Sequence, residues 1–409
     1  MAIELVCIAT QHRTPIYIYN LPKLTERIDE IKSSLDGIPY KLFFFESANR
    51  CSGILELIGK SQLGLTVVRP RGIFRALDFG FEPQQIECSG FGFSSSDFSV
   101  AVENGVFLNI GSAPEIDLFR RKYPRKNFGA RVSLQNDFKE KRGIEPDELI
   151  SMARQSDFFL TSIHAYDHTN ERDVNAQIES ARKIFSFSSK LPETSRHRLL
   201  SINLGGGHGH NYNDGRSFDW MEYGKKLKIL YQEYESCFRN KLTIKFELGR
   251  SLVVDCGYFV SRIIHAFKKD GQMFVSLDSN VSHFPRPLRY GFSLEQHPFM
   301  DQGIHKAVLL DSKGNIKEPQ SSSANKVAIV GNSHYSKDWF GYIYIDKFSP
   351  EELVNSFIVF LDSGAYCEVM TDSWTDDGPA NSVVFDRDGI NFEVRNNVQN
   401  ETTIKRRGS

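Results

Sequence analysis

Three consecutive glycines, Gly205, Gly206 and Gly207, follow an apolar run at residues 199–204 that is typical of a β-strand. A turn without side chains can bend sharply and bring backbone N–H groups close to a bound anion. No GKS or GKT follows, and the spacing G-x-G-x-x-G is absent, so the pattern indicates neither a nucleotide P-loop nor a dinucleotide fingerprint. An anion site and a plain tight turn are the two interpretations that stay open.

The next apolar run, residues 242–246, leads directly into Glu247, Gly249 and Arg250. A carboxylate can pair with a protonated pyridine nitrogen, and an arginine can help a glycine turn to hold a phosphate. Pyridoxal 5'-phosphate (PLP) carries both of these groups. The two strand ends together therefore predict a PLP site, whereas a surface Glu–Arg ion pair of little energetic weight is the alternative.

The composition is that of an ordinary globular protein, with 409 residues, 40% hydrophobic residues, 25% charged residues and a net charge of −1. This balance favours neither nucleic acid nor a membrane surface as a partner, and no apolar run is long enough to span a bilayer. The N-terminus does not resemble a signal peptide, and the cysteines are dispersed without a C-x-x-C motif. We therefore expect a cytoplasmic protein with free thiols and no metal site.

The elements that must position the candidate residues alternate between strand and helix from residue 16 to residue 246. This alternation predicts an α/β fold with a parallel (β/α)8 TIM barrel, whose catalytic groups lie at the C-terminal ends of the strands. From residue 252 onward, strands follow one another with few helices, so we expect an all-β second domain. The expected boundaries are residues 25–265 for the PLP-binding barrel, residues 1–24 and 266–395 for the β domain, and residues 396–409 for a flexible tail.

Motifs in the right order along nearly the whole chain resemble the fold-type III PLP-dependent decarboxylases. This family includes the diaminopimelate, ornithine and arginine decarboxylases and the alanine racemase-like barrel. INLGGG at residues 202–207 resembles the family's phosphate loop, and FELGR at residues 246–250 resembles its E-P-G-R motif. Residues 278–291 resemble the segment D-A-G-x-N-x-x-x-R-P-x-x-Y-G, and SGAY at residues 363–366 resembles D-x-G-A-Y.

The resemblance implies a role for each matching residue. It places Glu247 at the pyridinium, and it implies that the remaining cofactor-binding residues are Tyr166, Gly205, Gly206, Gly207, Gly249, Arg250 and Tyr366. Tyr166 replaces the histidine that usually stacks on the ring. Arg131, Arg286 and Tyr290 fall in the substrate-binding region of an amino-acid-like substrate. The resemblance also implies a homodimer in which the second domain completes the neighbouring site.

Two matches depart from the family's catalytic residues. His334 stands where a cysteine usually donates the proton, and an imidazole can also donate one near neutral pH. In the segment FFESAN, residues 44–49, Ser47 stands where Y-A-V-K-A-N has the Schiff-base lysine. A serine hydroxyl cannot form an imine, and Lys41 lies roughly 20 Å back along the strand. Strand alternation predicts that the side chains of Phe45 and Ser47 point to the same, inward side of the barrel.

These departures predict that PLP binds without a covalent link, and they leave two hypotheses about function. The first is a decarboxylase-like enzyme that acts on an unusual amino-acid-derived substrate, as in the biosynthesis of secondary metabolites. The second is a non-catalytic decarboxylase homologue that binds the cofactor, a ligand or a partner chain. An engineered change at Ser47 is a further explanation that the sequence leaves open.

Overall fold

The computed structural model describes residues 2–135, 141–286, 305–317, 324–346 and 348–386, so Tyr290 and the tail at residues 396–409 lie outside the described residues. The chain divides into two compact units. One, here called the barrel unit, contains Leu21–Asp255 and Gly364–Val369. The other, here called the sheet unit, contains Met1–Asn20, Cys256–Ser363 and Met370–Ser409. The sequence-based boundaries did not separate Gly364–Val369 from the β domain.

The chain opens in the sheet unit with α1 (Ala2–His12) and β1 (Ile16–Asn20). The strands of the barrel unit are β2 (Tyr40–Phe45), β3 (Gly64–Val67), β4 (Ile86–Ser89), β5 (Phe107–Ile110), β6 (Phe128–Arg131), β7 (Leu160–His164), β8 (Ser201–Asn203) and β9 (Thr243–Leu248). Its helices are α2 (Leu21–Ser34), α3 (Ser52–Lys60), α4 (Pro70–Asp78), α5 (Ser95–Glu103), α6 (Ala113–Lys122), α7 (Pro146–Ala153), α8 (Val174–Ser189), α9 (Glu193–Arg196), α10 (Trp220–Glu235) and α11 (Arg250–Val253). The chain then returns to the sheet unit with β10 (Gly257–Lys269), β11 (Gln272–Leu277), β12 (Ala307–Leu310), β13 (Asn325–Val330), β14 (Trp339–Ile345), α12 (Pro350–Leu353), β15 (Phe357–Phe360) and β16 (Asn381–Phe385).

The barrel closes because β2 pairs in parallel with both β3 and β9, while each strand between them pairs in parallel with the next. This confirms the predicted (β/α)8 barrel. Alternate residues of each strand face opposite sides, so apolar side chains pack outward under the helices and polar ones point inward. Four strands carry inward polar side chains that are connected by hydrogen bonds and an ion pair. They are Glu87 and Ser89 on β4, Asn109 on β5, Asn203 on β8, and Lys245 and Glu247 on β9.

The sheet unit is built on a mostly antiparallel sheet in the order β12-β15-β10-β11-β13-β14. In addition, β1 pairs antiparallel with β10 and parallel with β16. Helix α1 buries Leu5, Val6 and Ile8 against Ile16 and Ile18 of β1, which anchors the start of the chain in this unit. The predicted second domain made mainly of strands is therefore confirmed. Among the described residues, no helix is long and apolar enough to cross a membrane.

One local prediction was wrong. Strands were expected from residue 252 onward, but the structure forms α11 and a 3-10 turn, Val254–Cys256, before β10 begins. Leu252, Val253 and Val254 are completely buried, and a short apolar run of this kind cannot be distinguished from a strand by periodicity. Helix α1 was not predicted at all, since its hydrophobic pattern spans only three turns.

A buried histidine lies at the centre of an aromatic cluster beside α10. His208 is 2% exposed, and its ring centroid lies 4.3 Å from that of Trp220, 4.9 Å from Phe218 and 5.2 Å from Tyr223. Within the described residues neither ring nitrogen has a hydrogen-bond partner. Burial lowers the pKa of His208 to about 3, so the imidazole is neutral in the folded protein at neutral pH.

This burial predicts an acid-sensitive fold. Between about pH 6.5 and pH 3 the unfolded chain binds a proton at His208 that the folded chain does not. The free energy of unfolding should therefore fall as the pH falls, by at most about 1.4 kcal/mol for each step of one in pH. The variant His208→Leu should reduce this slope in urea unfolding curves recorded at pH 7, 6 and 5. The matched variant His197→Leu, at a partly exposed site, should leave this slope unchanged. An unchanged slope in His208→Leu would contradict the low pKa assigned to His208.

Candidate active site

Four strands bring polar side chains to one carboxylate inside the barrel. Glu247, at the end of β9, is 8% exposed. Its Oε1 accepts hydrogen bonds from Ser89 Oγ at 2.6 Å and from Asn203 Nδ2 at 2.8 Å. Its Oε2 lies 3.9 Å from Nε2 of His164, at the end of β7. Both bonds thus end on one oxygen, and the second oxygen is turned toward the imidazole.

The ionisation of this cluster follows from its burial. Burial raises the pKa of Glu247, and the hydrogen bonds from Ser89 and Asn203, together with the charges of Arg131 and Lys245, oppose that rise. Burial and the positive charges of Arg131, Arg142 and Lys245 hold the pKa of His164 well below its usual value. The imidazole is therefore neutral at physiological pH. A cationic N–H donor next to Oε2 would supply the charge complement that His164 does not provide.

The glycine turn is fastened to the strand that carries Glu247. Gly205 and Gly207 have φ angles of 66° and 88°, which glycine adopts without strain. The Glu247 N–H donates to the Gly205 carbonyl at 2.7 Å, and a Cβ at Gly206 would overlap the Glu247 carbonyl oxygen. Asn203 Oδ1 accepts the Gly205 N–H at 2.8 Å. One asparagine side chain therefore holds both the carboxylate and the turn.

Arg250 begins α11 and is enclosed by two tyrosines. It is 9% exposed, its guanidinium donates to the Tyr212 hydroxyl, and its Cζ lies 5.6 Å and 5.3 Å from the ring centroids of Tyr212 and Tyr366. The Tyr366 hydroxyl would lie 2.6 Å from a Cβ at Gly249, so only glycine admits this approach. Tyr366 itself has a φ of 57°, and its N–H donates to the Ala48 carbonyl at 2.8 Å.

Ser47 lies in a short 3-10 turn, Glu46–Ala48, and not on a strand. Strand β2 ends at Phe45, so the expected alternation of Phe45 and Ser47 toward one side does not apply, and that argument was wrong. The turn is fixed on both sides of the serine. The Glu46 carboxylate pairs with Arg75 at 2.7 Å, and Ala48 accepts the Tyr366 N–H. Ser47, which is half-buried, thus lies beside the segment that carries Tyr366.

Tyr166 lies against the glycine turn, because its ring edge would be 3.3 Å from a Cβ at Gly205 and 3.5 Å from one at Gly207. Two guanidinium groups stack on this ring, with the Cζ of Arg131 at 5.5 Å and that of Arg142 at 6.0 Å from its centroid. Guanidinium pairs of this kind are suited to carboxylates and phosphates. The glycine turn is therefore bordered by Tyr166 and by these two arginines, Arg131 and Arg142, which are here called the cationic wall.

The barrel unit gathers most of the residues that the sequence singled out: Arg131, Tyr166, Glu247, Gly249, Arg250, Tyr366 and the three glycines. Arg286 and His334 belong to the sheet unit, where Arg286 is buried and His334 is exposed between β13 and β14. Tyr290 lies outside the described residues. Sequence reasoning missed Ser89, Asn203, Tyr212 and Arg142. Ser89 and Asn203 each end a barrel strand, and that position is the signal that could have found them.

These acceptor and donor groups fit PLP. A buried carboxylate with one oxygen already occupied suits a pyridinium N–H. A glycine turn in which a Cβ would collide with backbone, next to a buried arginine and a tyrosine hydroxyl, suits a phosphate. The flat ring of Tyr166 lies against the glycine turn.

Comparisons with known proteins indicate the same cofactor. The family model described as "Pyridoxal-dependent decarboxylase, pyridoxal binding domain" matches residues 21–254. A diaminopimelate decarboxylase of Helicobacter pylori is 25% identical over 299 residues, which cover 68% of this chain and 72% of that protein. A decarboxylase of Staphylococcus aureus, named for a substituted 2-hydroxybutanedioate, is 27% identical over 380 residues, which cover 88% and 90%. The crystal structure of the Helicobacter pylori enzyme complexed with L-lysine superposes with a TM-score of 0.77 at 22% identity, covering 94% of both chains.

The close approach at Gly206 predicts that its replacement damages the turn. Gly206→Ala should lower the free energy of unfolding by about 1–3 kcal/mol and weaken PLP binding, because the new Cβ would collide with the Glu247 carbonyl oxygen. The matched control is Gly59→Ala in α3, whose Cβ would make only ordinary contact, at 3.6 Å, with Phe81. That change should be neutral or slightly stabilising. Equal effects of the two substitutions in urea unfolding and PLP titration would refute this account of the turn.

Proposed function

Since the chain belongs to the pyridoxal-dependent decarboxylase family, we propose that it binds PLP without a covalent link and presents the cofactor to an amino-acid-derived substrate. One observation carries the proposal. The buried Glu247 carboxylate has Oε1 occupied and Oε2 facing His164, and the Glu247 backbone is bonded to the glycine turn, close in sequence to the buried Arg250. A pyridinium N–H requires such an acceptor at one end of the ring, and a phosphate requires such donors at the other end.

Each residue of the barrel unit has a specific task in this proposal. Glu247 Oε2 accepts the pyridinium N–H, and Ser89 and Asn203 hold the carboxylate in place. The turn of Gly205, Gly206 and Gly207 holds the phosphate together with Arg250 and Tyr366, while Tyr166 packs on the ring. When bound, PLP supplies an electron sink that helps an α-carboxylate to leave an amino acid as carbon dioxide.

The cationic wall favours a substrate with more than one anionic group. Arg131 and Arg142 both stack on Tyr166, so a carboxylate placed there would meet two guanidinium groups. The Staphylococcus aureus relative is named for a 2-hydroxybutanedioate, which carries two carboxylates. This supports an unusual acidic substrate in a biosynthetic pathway. The roles of Arg286 and Tyr290 in binding a substrate carboxylate, and of His334 as proton donor, are proposed from the family resemblance.

A second candidate function is a non-catalytic homologue that binds PLP, a ligand or a partner chain. The observation that favours it is Ser47, which cannot attach the cofactor, in a turn whose flanking contacts to Arg75 and Tyr366 are in place. In this proposal Lys245 does not replace the missing lysine, because its ammonium group is bonded to the Glu87 carboxylate inside the barrel.

The substitution Ser47→Lys separates the two candidates. The parent protein should bind PLP but yield no borohydride-stable attachment in mass spectra, whereas Ser47→Lys should be labelled at residue 47. Ser47→Arg is the matched control, because it adds the same positive charge on a side chain that does not form an imine with PLP. Carbon dioxide release by Ser47→Lys from an acidic amino-acid substrate would establish the enzyme, and labelling without release would favour the non-catalytic homologue. Labelling of the parent at any lysine, or none in a folded Ser47→Lys, would overturn the assignment of position 47.

The family resemblance also supports a homodimer in the cytoplasm. Static light scattering at micromolar concentration should therefore give twice the chain mass of 46.7 kDa. Addition of PLP should leave this mass unchanged. A mass of one chain under both conditions would argue against a site completed by two copies.

A further inference from the structure

A charged pair lies inside the barrel, one layer below Glu247. Lys245 precedes Glu247 by two residues on β9, so both side chains point to the barrel interior. The Lys245 ammonium bonds the carboxylate of Glu87 on β4, and the two side chains are 12% and 4% exposed. Nζ also lies 4.6 Å from the ring centroid of Phe107 and 6.0 Å from that of Phe43. The cation is thus fixed by one carboxylate and two aromatic rings.

A chain of hydrogen bonds connects this pair to Glu247. The Asn109 amide donates to Glu87 Oε2 at 3.0 Å and to Ser89 Oγ at 2.9 Å, and Ser89 in turn donates to Glu247 at 2.6 Å. The donors of this chain lead to a carboxylate at each end, which is the arrangement expected when both carboxylates are ionised. A Cβ at Gly129 would overlap Asn109 Oδ1, so the absence of a side chain on the neighbouring strand leaves room for the connecting amide.

In the barrel interior the ammonium group of Lys245 faces two carboxylates, Glu87 and Glu247. Arg131 adds positive charge from the end of β6. Burial raises the pKa of both carboxyls, the charge of Glu247 raises the pKa of Glu87 further, and the positive charge of Lys245 lowers both pKa values. Without Lys245, two hydrogen-bonded carboxylates in a poorly solvated space would resist being ionised together.

We propose that the Lys245–Glu87 ion pair is a positioning device for the cofactor: Lys245 cancels the charge of Glu87 and so keeps Glu247 ionised and able to accept the pyridinium N–H. The inference rests on the proposed role of Glu247. The groups that face Glu247 from the surrounding strands are Ser89, Arg131, His164, Asn203 and, on its own strand, Lys245. His164 is neutral, and Arg131 stands at the partly exposed end of β6, whereas the Glu87 carboxylate holds the ammonium group of Lys245 inside the barrel.

This role predicts that the two partners of one ion pair move the pH dependence in opposite directions. Lys245→Met removes the positive charge that balances Glu87, so the pKa of Glu247 should rise. The acidic limb, which is the part of the pH profile where PLP affinity falls as the pH is lowered, should then move to higher pH. Glu87→Gln leaves the ammonium uncompensated, so the limb should move to lower pH. The double variant should return close to the parent profile. If the limb moves by about one pH unit, PLP affinity at a fixed pH on the acidic side of the profile should change about tenfold.

The experiment titrates PLP into the parent and these variants between pH 5.5 and pH 8.5 and follows the quenching of tryptophan fluorescence, with circular dichroism as a check of folding. Opposite movements of the limb, cancelled in the double variant, support the proposal. Equal weakening at every pH by both single variants would show a merely structural pair and overturn it. If Lys245→Met does not fold, Glu87→Gln by itself still tests the predicted direction, because the acidic limb should move to lower pH. Glu247→Gln tests the role of Glu247 separately from that of the ion pair, since unchanged PLP affinity in this variant would refute the role of Glu247 itself.

Discussion

The buried carboxylate of Glu247 is the constraint around which the interior of the barrel is built. An ionised group removed from water costs several kcal/mol unless hydrogen bonds and opposite charges replace its hydration. Here Ser89 and Asn203 supply the hydrogen bonds, and Lys245 and Arg131 supply positive charge. The inward positions of several strands are therefore polar in a fold whose barrel interior is usually filled by branched apolar side chains.

Asn203 extends this constraint to the mouth of the barrel. Its amide group donates to Glu247, and its carbonyl oxygen accepts from the first residue of the glycine turn. The contacts proposed for the two ends of one cofactor are thus fixed relative to each other by a single completely buried side chain. A rigid connection of this kind reduces the ordering that must accompany ligand binding.

The turn that carries Ser47, the position proposed for covalent attachment, is fixed without help from the Ser47 side chain. The contacts that fix the turn belong to its neighbours: Glu46 pairs with Arg75, and Ala48 accepts the backbone N–H of Tyr366. Neither contact uses the side chain at position 47. Under the proposed assignment of position 47, a change of this residue would therefore leave the contacts of Glu46 with Arg75 and of Ala48 with Tyr366 in place.

The sequence by itself determined the architecture and the position of the main candidates. Alternating strands and helices specified the barrel, and Gly205 and Glu247 could be placed at its mouth because the C-terminal ends of parallel strands share one edge. The order of its motifs along the chain also indicated the family to which the chain belongs. These features depend on local periodicity and on order along the chain, which a sequence records directly.

The partners inside the barrel were decided only by the tertiary structure. Ser89 and Glu247 are 158 residues apart in the chain, and Asn203 and Glu247 are 44 apart. A period of two tells which face a side chain takes, but the residue opposite it depends on the register in which eight strands close. The 3-10 turn at Ser47 and helix α11 also escaped prediction, because tertiary packing overrides the weak local preferences of such short segments.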